Sequence, residues 1–218
     1  HEEDGNSVLD GLTISSGLIT CQPSERPPHY DAGSPTIRNC RMISSRVICQ
    51  DGARPVICDC IFTNGLGRSM HAIDCVGGSA LVCLTISRCL FADYFTSSDG
   101  GAISFQWGIQ TNLTITDCLF TNNSAGRGGG IFFGDSFGSS TILIERCIFR
   151  NNSATSTGGA VRISASGSAT YAVTGAISDC IFQDNFASNG GGAINATNSY
   201  GLTVTNCLFV GNRASKPG

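Results

Sequence analysis

Three kinds of side chain in this 218-residue sequence are placed so that they could do chemistry. Asp59, Arg88, Asp117, Arg146 and Asp179 each stand immediately before a cysteine, at a recurring spacing. Two carboxylates flanking one glycosidic bond would supply the acid and the base of sugar cleavage. Carboxylates alternating with guanidinium groups instead neutralise one another, and an exposed pair contributes under about 1 kcal/mol. Twelve cysteines are the second kind, with disulfide formation, zinc binding or plain packing as their options. The third is four Asn-x-Ser/Thr sequons, at Asn112, Asn122, Asn151 and Asn195, which a secretory pathway could glycosylate. Histidine is limited to His1, His29 and His71; His29 falls in a proline-rich stretch, where a solvated side chain is the expected state.

The charges acquire places only through the repeat that carries them. Leu113-Thr114-Ile115-Thr116-Asp117-Cys118-Leu119-Phe120 recurs around Cys89, Cys147, Cys180 and Cys207, and more weakly around Cys40 and Cys60. The earliest copy is Leu12-Thr13-Ile14-Ser15-Ser16-Gly17, with Gly17 in the cysteine column. From Cys60 onward the intervals are 29, 29, 29, 33 and 27 residues, preceded by 23 and 20. A period in this range implies a stacked architecture, and the two short intervals imply a narrower N-terminal third.

Within the unit, Leu113-Thr114-Ile115 alternates with the period of a half-buried strand. The alternation breaks for two residues and restarts as Cys118 inward, Leu119 outward, Phe120 inward. Asn and Asp before the cysteine suit a left-handed corner; Arg88 and Arg146 fit it less well and are expected to be tolerated by exposure. A third strand follows Gly100-Gly101, Gly128-Gly129, Gly158-Gly159 and Gly191-Gly192. Its inward columns read Val47, Ile73, Ile103, Ile131, Val161, Ile194 and then Cys49, Cys75, Phe105, Phe133, Ile163, Ala196. The fold class that follows is all-β: a parallel β-helix with three short strands per coil and about seven to eight coils. The near-universal hand of parallel crossovers makes it right-handed. Residues 1–218 form one such domain, with an irregular loop near 21–35, open ends and a length on the order of 34 Å.

The paired signatures Phe-x-x-Asn (Phe120 to Asn123, Phe149 to Asn152, Phe182 to Asn185, Phe209 to Asn212) and Gly-Gly-Ala-Ile are similar to the repeats of the polymorphic outer membrane proteins of chlamydiae. The likeness is close over 84–212 and loose over 9–83, where Tyr94 stands three after Phe91 and Asn64 two after Phe62. The resemblance implies a pectin-lyase-like fold and a cell-surface adhesin or passenger-like rod rather than a defined chemistry.

Composition narrows the rest. Charged residues make up 13%, about half the usual share. A formal net charge of −3 argues against nucleic-acid or anionic-membrane partners. No apolar run is long enough for membrane insertion. With no initiator methionine or signal-like start, the chain reads as a mature or excised piece.

Cys40, Cys60, Cys89, Cys118, Cys147, Cys180 and Cys207 share one inward column and read as stacked thiols. Disulfides between neighbouring coils are the alternative, since strand spacing lies inside the required range; an odd count and side chains pointing alike count against them. Cys49 and Cys75 are a candidate disulfide, whereas Cys21, Cys58 and Cys83 have no assigned partner. Zinc is not expected, nor any other cofactor: no paired knuckles occur, and Cys58 and Cys60 face opposite sides. Asn123, Asn152, Asn185 and Asn212 are expected to join coils, with Asn123 and Asn152 turning inward to bond backbone and leaving Asn122 and Asn151 outside.

The outward positions of the glycine-led strand (Ala102, Ser104, Gly130, Phe132, Ala160, Arg162, Ala193, Asn195) hold no carboxylate, so enzyme activity is not expected. The charged row reads as register-fixing pairs. The function that fits is a secreted or cell-surface structural or adhesive scaffold. It would stack end to end into a filament and contact host or matrix surfaces or glycans. A carbohydrate-active lyase or hydrolase is the alternative. An ice-binding threonine array is a distant third, broken at Leu143, Ala176 and Glu145.

Overall fold

The computed structural model describes residues 7–22, 35–50, 52–65, 70–76, 81–105, 110–134, 139–165, 173–199 and 201–216. His1, His29 and most of the irregular loop near 21–35 lie outside the described residues. Short strands stack in register into parallel sheets: two of eight strands, one of seven and one of four among the described residues. The first sheet runs from Val8–Asp10 to Leu202–Thr205, the second from Thr13–Ser15 to Leu208–Val210, and the third from Leu18–Cys21 to Ile194–Thr197. Each coil but the last thus contributes one strand to each of the three long sheets, as the alternation predicts; among the described residues the last coil adds to the first two of these only. No described helix is long and apolar enough to cross a membrane.

The corners explain the breaks in alternation. At the first, Asn39, Asp59, Arg88, Asp117, Arg146, Asp179 and Asn206 all take left-handed backbone, with φ between +51° and +55°. The second carries Ser16, Ser44, Asn64, Asp93, Asn122, Asn151 and Asp184, with φ from +48° to +62°. Arg88 and Arg146 adopt the same geometry as their Asp neighbours, at +52° and +51°. Such a conformation costs a non-glycine residue roughly 1–2 kcal/mol, and the surrounding coils hold it in place.

One expectation needs correction. The pairing Val8↔Thr36 and Thr13↔Arg41 puts Leu12, not Gly17, beside Cys40. Leu12-Thr13-Ile14 resembles the first strand of later repeats but forms the corner and second strand of its own coil, because register follows the stacked neighbour. Leu12 precedes Cys40 by 28 residues, so the apparent 23-residue interval disappears and the 20-residue one stands alone. A fourth, short sheet is added to the three long ones: Ser124–Ala125, Ser153–Ala154, Phe186–Ala187 and Arg213–Ala214 pair in parallel. Two-residue strands are too short to leave a periodic signal.

The core is a set of columns running along the axis. Phe62, Phe91, Phe120, Phe149, Phe182 and Phe209 stack face to face, with successive ring centroids 4.8–5.0 Å apart and planes within 11°. Met42 and Ile14 extend the same column toward the N-terminus. In the third sheet both inward columns lie as the alternation places them, and Ile19 and Cys21 join them through the pairs Ile19↔Val47 and Cys21↔Cys49. Glycine 159 shows why these corners need no side chain. A methyl group there would fall inside the van der Waals envelope of the Gly192 carbonyl oxygen.

Candidate functional site

The most regular surface lies along the second sheet. Its outward column reads Arg41, Ile61, Leu90, Leu119, Ile148, Ile181 and Leu208, one residue per coil in strict register. Six aliphatic side chains in line form an apolar stripe that water reaches: Ile61 is 39% exposed, Ile181 36% and Leu208 55%. The stripe exists because the corner before it forces the chain to resume with the cysteine inside, which turns the next residue out.

The charged row borders this stripe and forms an open groove with it, lined by Asp59, Arg88, Asp117, Arg146 and the neighbouring aliphatic residues. Arg88 donates to both carboxylate oxygens of Asp59, each at 2.7 Å. Arg146 does the same to Asp117 at 2.8 and 3.0 Å, and reaches Glu145 at 3.0 Å. The rungs continue at both ends, from Arg38 and Asn39 to Asp10 and from Asn206 to Asp179. The guanidinium bonds hold the carboxyls of Asp59 and Asp117 below the usual carboxylate range and raise the arginines in turn. Carboxylates fully engaged in this way are poor acids and poor bases at neutral pH.

A second cluster was missed from the sequence. The register Ser104↔Asp74 places Asp74 in the outward column of the third sheet. The column therefore does contain a carboxylate. No glycine pair precedes that strand, and without one the signature that located the later copies gave no cue. Asp74 is 3% exposed and lies 3.6 Å from Arg46 Nη1. His71, also 3% exposed, donates from Nδ1 to the Gly100 carbonyl at 2.6 Å. Burial pushes the imidazole below its ordinary value, while Asp74 pulls the other way. Beside Gly100, Asp99 accepts from Arg127 Nε at 3.0 Å, and that guanidinium sits 5.0 Å above the Phe132 ring. The cluster is a packed polar network on the outer side of the sheet.

The remaining predicted residues fall into three groups. The corner cysteines (Cys40, Cys60, Cys89, Cys118, Cys147, Cys180, Cys207) are free thiols, each donating to the carbonyl two residues before it at 3.1–3.2 Å. The sulfurs of Cys89, Cys118 and Cys180 also accept from the backbone, from the N–H groups of Cys60, Cys89 and Cys147 in the preceding coil, each at 3.4 Å. The bond to the next thiol, aided by burial, pushes Cys89 and Cys118 up to about 12, so they are weak nucleophiles. Cys49 and Cys75 are adjacent free thiols, and Cys21, left unassigned by the sequence, is their in-register neighbour.

Asn123, Asn152 and Asn185 are buried and form a continuous ladder with Asn212. Asn152, for example, accepts at Oδ1 from the Asn123 N–H at 3.1 Å and donates from Nδ2 to the Phe120 carbonyl at 3.0 Å. Among the sequons, Asn112, Asn122 and Asn151 are exposed, although Asn122 Nδ2 donates to Asp93 at 3.2 Å. Asn195 is half-buried and bonded to Arg162, which also holds Thr197 of the same sequon at 3.0 Å. Among the described residues no group of three or more His, Cys, Asp or Glu is arranged to hold a metal ion.

No curated protein and no solved structure matches the chain. A family model described as a right-handed β-helix region matches residues 29–216. That span takes in every strand from Thr36 onward, and the chain belongs to the right-handed β-helix family.

Proposed function

We infer that the chain is a structural or adhesive β-helix scaffold, secreted or displayed at a cell surface, whose second-sheet face is its contact surface. The observation that carries this reading is the aliphatic stripe from Ile61 to Leu208. A contiguous, exposed apolar surface rimmed by polar residues is the mark of an interaction site. The bordering ion pairs are internally neutralised, so a partner covering the stripe meets little net charge. The likeness of the Phe-x-x-Asn and Gly-Gly-Ala-Ile repeats to chlamydial polymorphic outer membrane proteins supports display at a surface.

End-to-end stacking belongs to the same proposal. On the coil from Leu202 to Ala214, Val204 is 44% and Phe209 48% exposed, although both occupy core columns. A further coil, of this chain or of another copy, would continue the phenylalanine stack. Electron microscopy of the purified material, with mass spectrometry of the same sample, tests the proposal. Filaments with an axial repeat near one chain's length and glycans at Asn122 or Asn151 support a secreted fibre. Monodisperse short rods without glycans sink it.

The second reading, a carbohydrate-active enzyme, is favoured by one observation: Asp74, His71 and Arg46 meet on the outer side of the third sheet, where catalytic carboxylates of such folds would stand. Their burial weighs toward the scaffold.

A further inference from the structure

The chain has two classes of cysteine column, one at the first corner and one in the third sheet. In the corner column each thiol is committed twice, donating to the carbonyl two residues back and lying against the next coil. A bridge there would forfeit those bonds in a buried setting. In the third sheet Cys21, Cys49 and Cys75 are paired Cα to Cα on consecutive strands. They are almost wholly buried, and Cys49 is the in-register neighbour of Cys21 on one side and of Cys75 on the other.

We propose that Cys49 is an oxidation site with two competing partners, forming one disulfide per chain with either Cys21 or Cys75 and leaving the third thiol reduced. Neighbouring parallel strands lie about 4.8 Å apart, inside the Cα window for a disulfide of about 4.4–6.8 Å. Cys21 and Cys75 are two coils apart, roughly 9.6 Å by the same spacing, and cannot bridge each other. Cys49 is therefore obligatory.

With a small disulfide such as oxidised glutathione as oxidant, one thiolate of the pair attacks a glutathione sulfur, forming a mixed disulfide and releasing one glutathione thiolate. The second protein thiolate then attacks the protein sulfur of that mixed disulfide and releases the other. Two electrons pass from the protein to glutathione, and the two thiol protons end on the released glutathione. Because the thiols are buried, the reaction proceeds through local opening of the N-terminal coils. The bridge fastens two of the first three coils, and its two isomers fasten different pairs.

The test equilibrates the purified 218-residue chain with a glutathione redox couple, blocks free thiols, and maps bridges by mass spectrometry without reduction. The expected result is the loss of two of the twelve thiols, as a mixture of Cys21–Cys49 and Cys49–Cys75 products. C21S should give only the second product and C75S only the first, each substitution lying at an end of the triplet. C49S should give neither. Three fully blocked thiols in the oxidised wild-type chain, a Cys21–Cys75 bridge, or bridging confined to the corner column would overturn the proposal. The wild-type product map decides the matter even if C49S fails to fold.

Discussion

From Cys89 onward every coil carries the same phenylalanine and cysteine columns, joined from Asn123 by the asparagine ladder. Between Leu9 and Cys75 the same places are filled piecemeal. Ser45 stands where later coils have the ladder asparagine, and its hydroxyl accepts from the Gly17 N–H at 3.0 Å and donates to the Ile14 carbonyl at 3.0 Å. Those are the two bonds Asn152 makes with Asn123 and Phe120. One coil further on the place is held by Gly65, and the Tyr94 ring fills the room a side chain would take. The Tyr94 hydroxyl reaches back to the Ser45 carbonyl at 3.2 Å. The coil therefore demands that particular backbone groups be satisfied and particular volumes be filled, and it accepts any residue that does so. Where the repeat is strict, one solution is copied; where it is loose, each coil has its own.

The comparison can be broken most severely at the glycines. Gly159→Ala sets a methyl group against two backbone carbonyls, those of Gly192 and Phe186, which have nowhere to move. We expect a loss above about 4 kcal/mol and, by thermal unfolding, a transition that is no longer cooperative. Phe120→Ala opens the middle of an aromatic stack and should cost about 3–5 kcal/mol. Met42→Leu, in the same column at the irregular end, should cost under about 1.5 kcal/mol. Equal losses in denaturant titrations would erase the distinction between the regions. Asn152→Ala strands the buried Asn123 N–H and Phe120 carbonyl, for about 3 kcal/mol, while Ser45→Ala should cost about 1–2 kcal/mol, because the Gly17 N–H and Ile14 carbonyl bonds it serves are only part-buried.

The smallest expected effect concerns pH. Burial holds the folded-state pKa of His71 below its ordinary 6.5, so between those two values the unfolded chain binds more protons than the folded one. Stability is then fully present above 6.5 and falls as pH drops through that window. Urea midpoints measured from about pH 7.5 down to about pH 5 should show that slope, and His71→Gln should flatten it. An unchanged slope in the variant would assign it to other groups.

Much of this was legible in the sequence. The cysteine-aligned repeat placed the second and third strands of most coils and both inward columns of the third sheet, because alternation and corner chemistry are local. The errors arose where neighbours decide. Leu12-Thr13-Ile14 has the look of a first strand and becomes a corner and second strand through pairing with Arg41–Ile43. Ser45 gives no sign of replacing an asparagine, since only the stacked Gly17 and Ile14 reveal its two bonds. No glycine pair precedes Asp74 to mark its strand, and Cys21 finds its neighbour only through the register Cys21↔Cys49, which sets the first coil one strand away from where its sequence pattern points.

The direction of the bonds has a mechanical consequence. Backbone hydrogen bonds, the asparagine ladder and the aromatic stack all run along the rod axis. Tension applied along that axis across a whole coil loads all of these contacts between two coils together, and they must fail at once. A pull on the chain itself loads them one strand at a time and peels the coil from its neighbour. The same set of contacts is therefore tough against stretching and weak against unwinding, and the point where force enters decides which behaviour the rod shows.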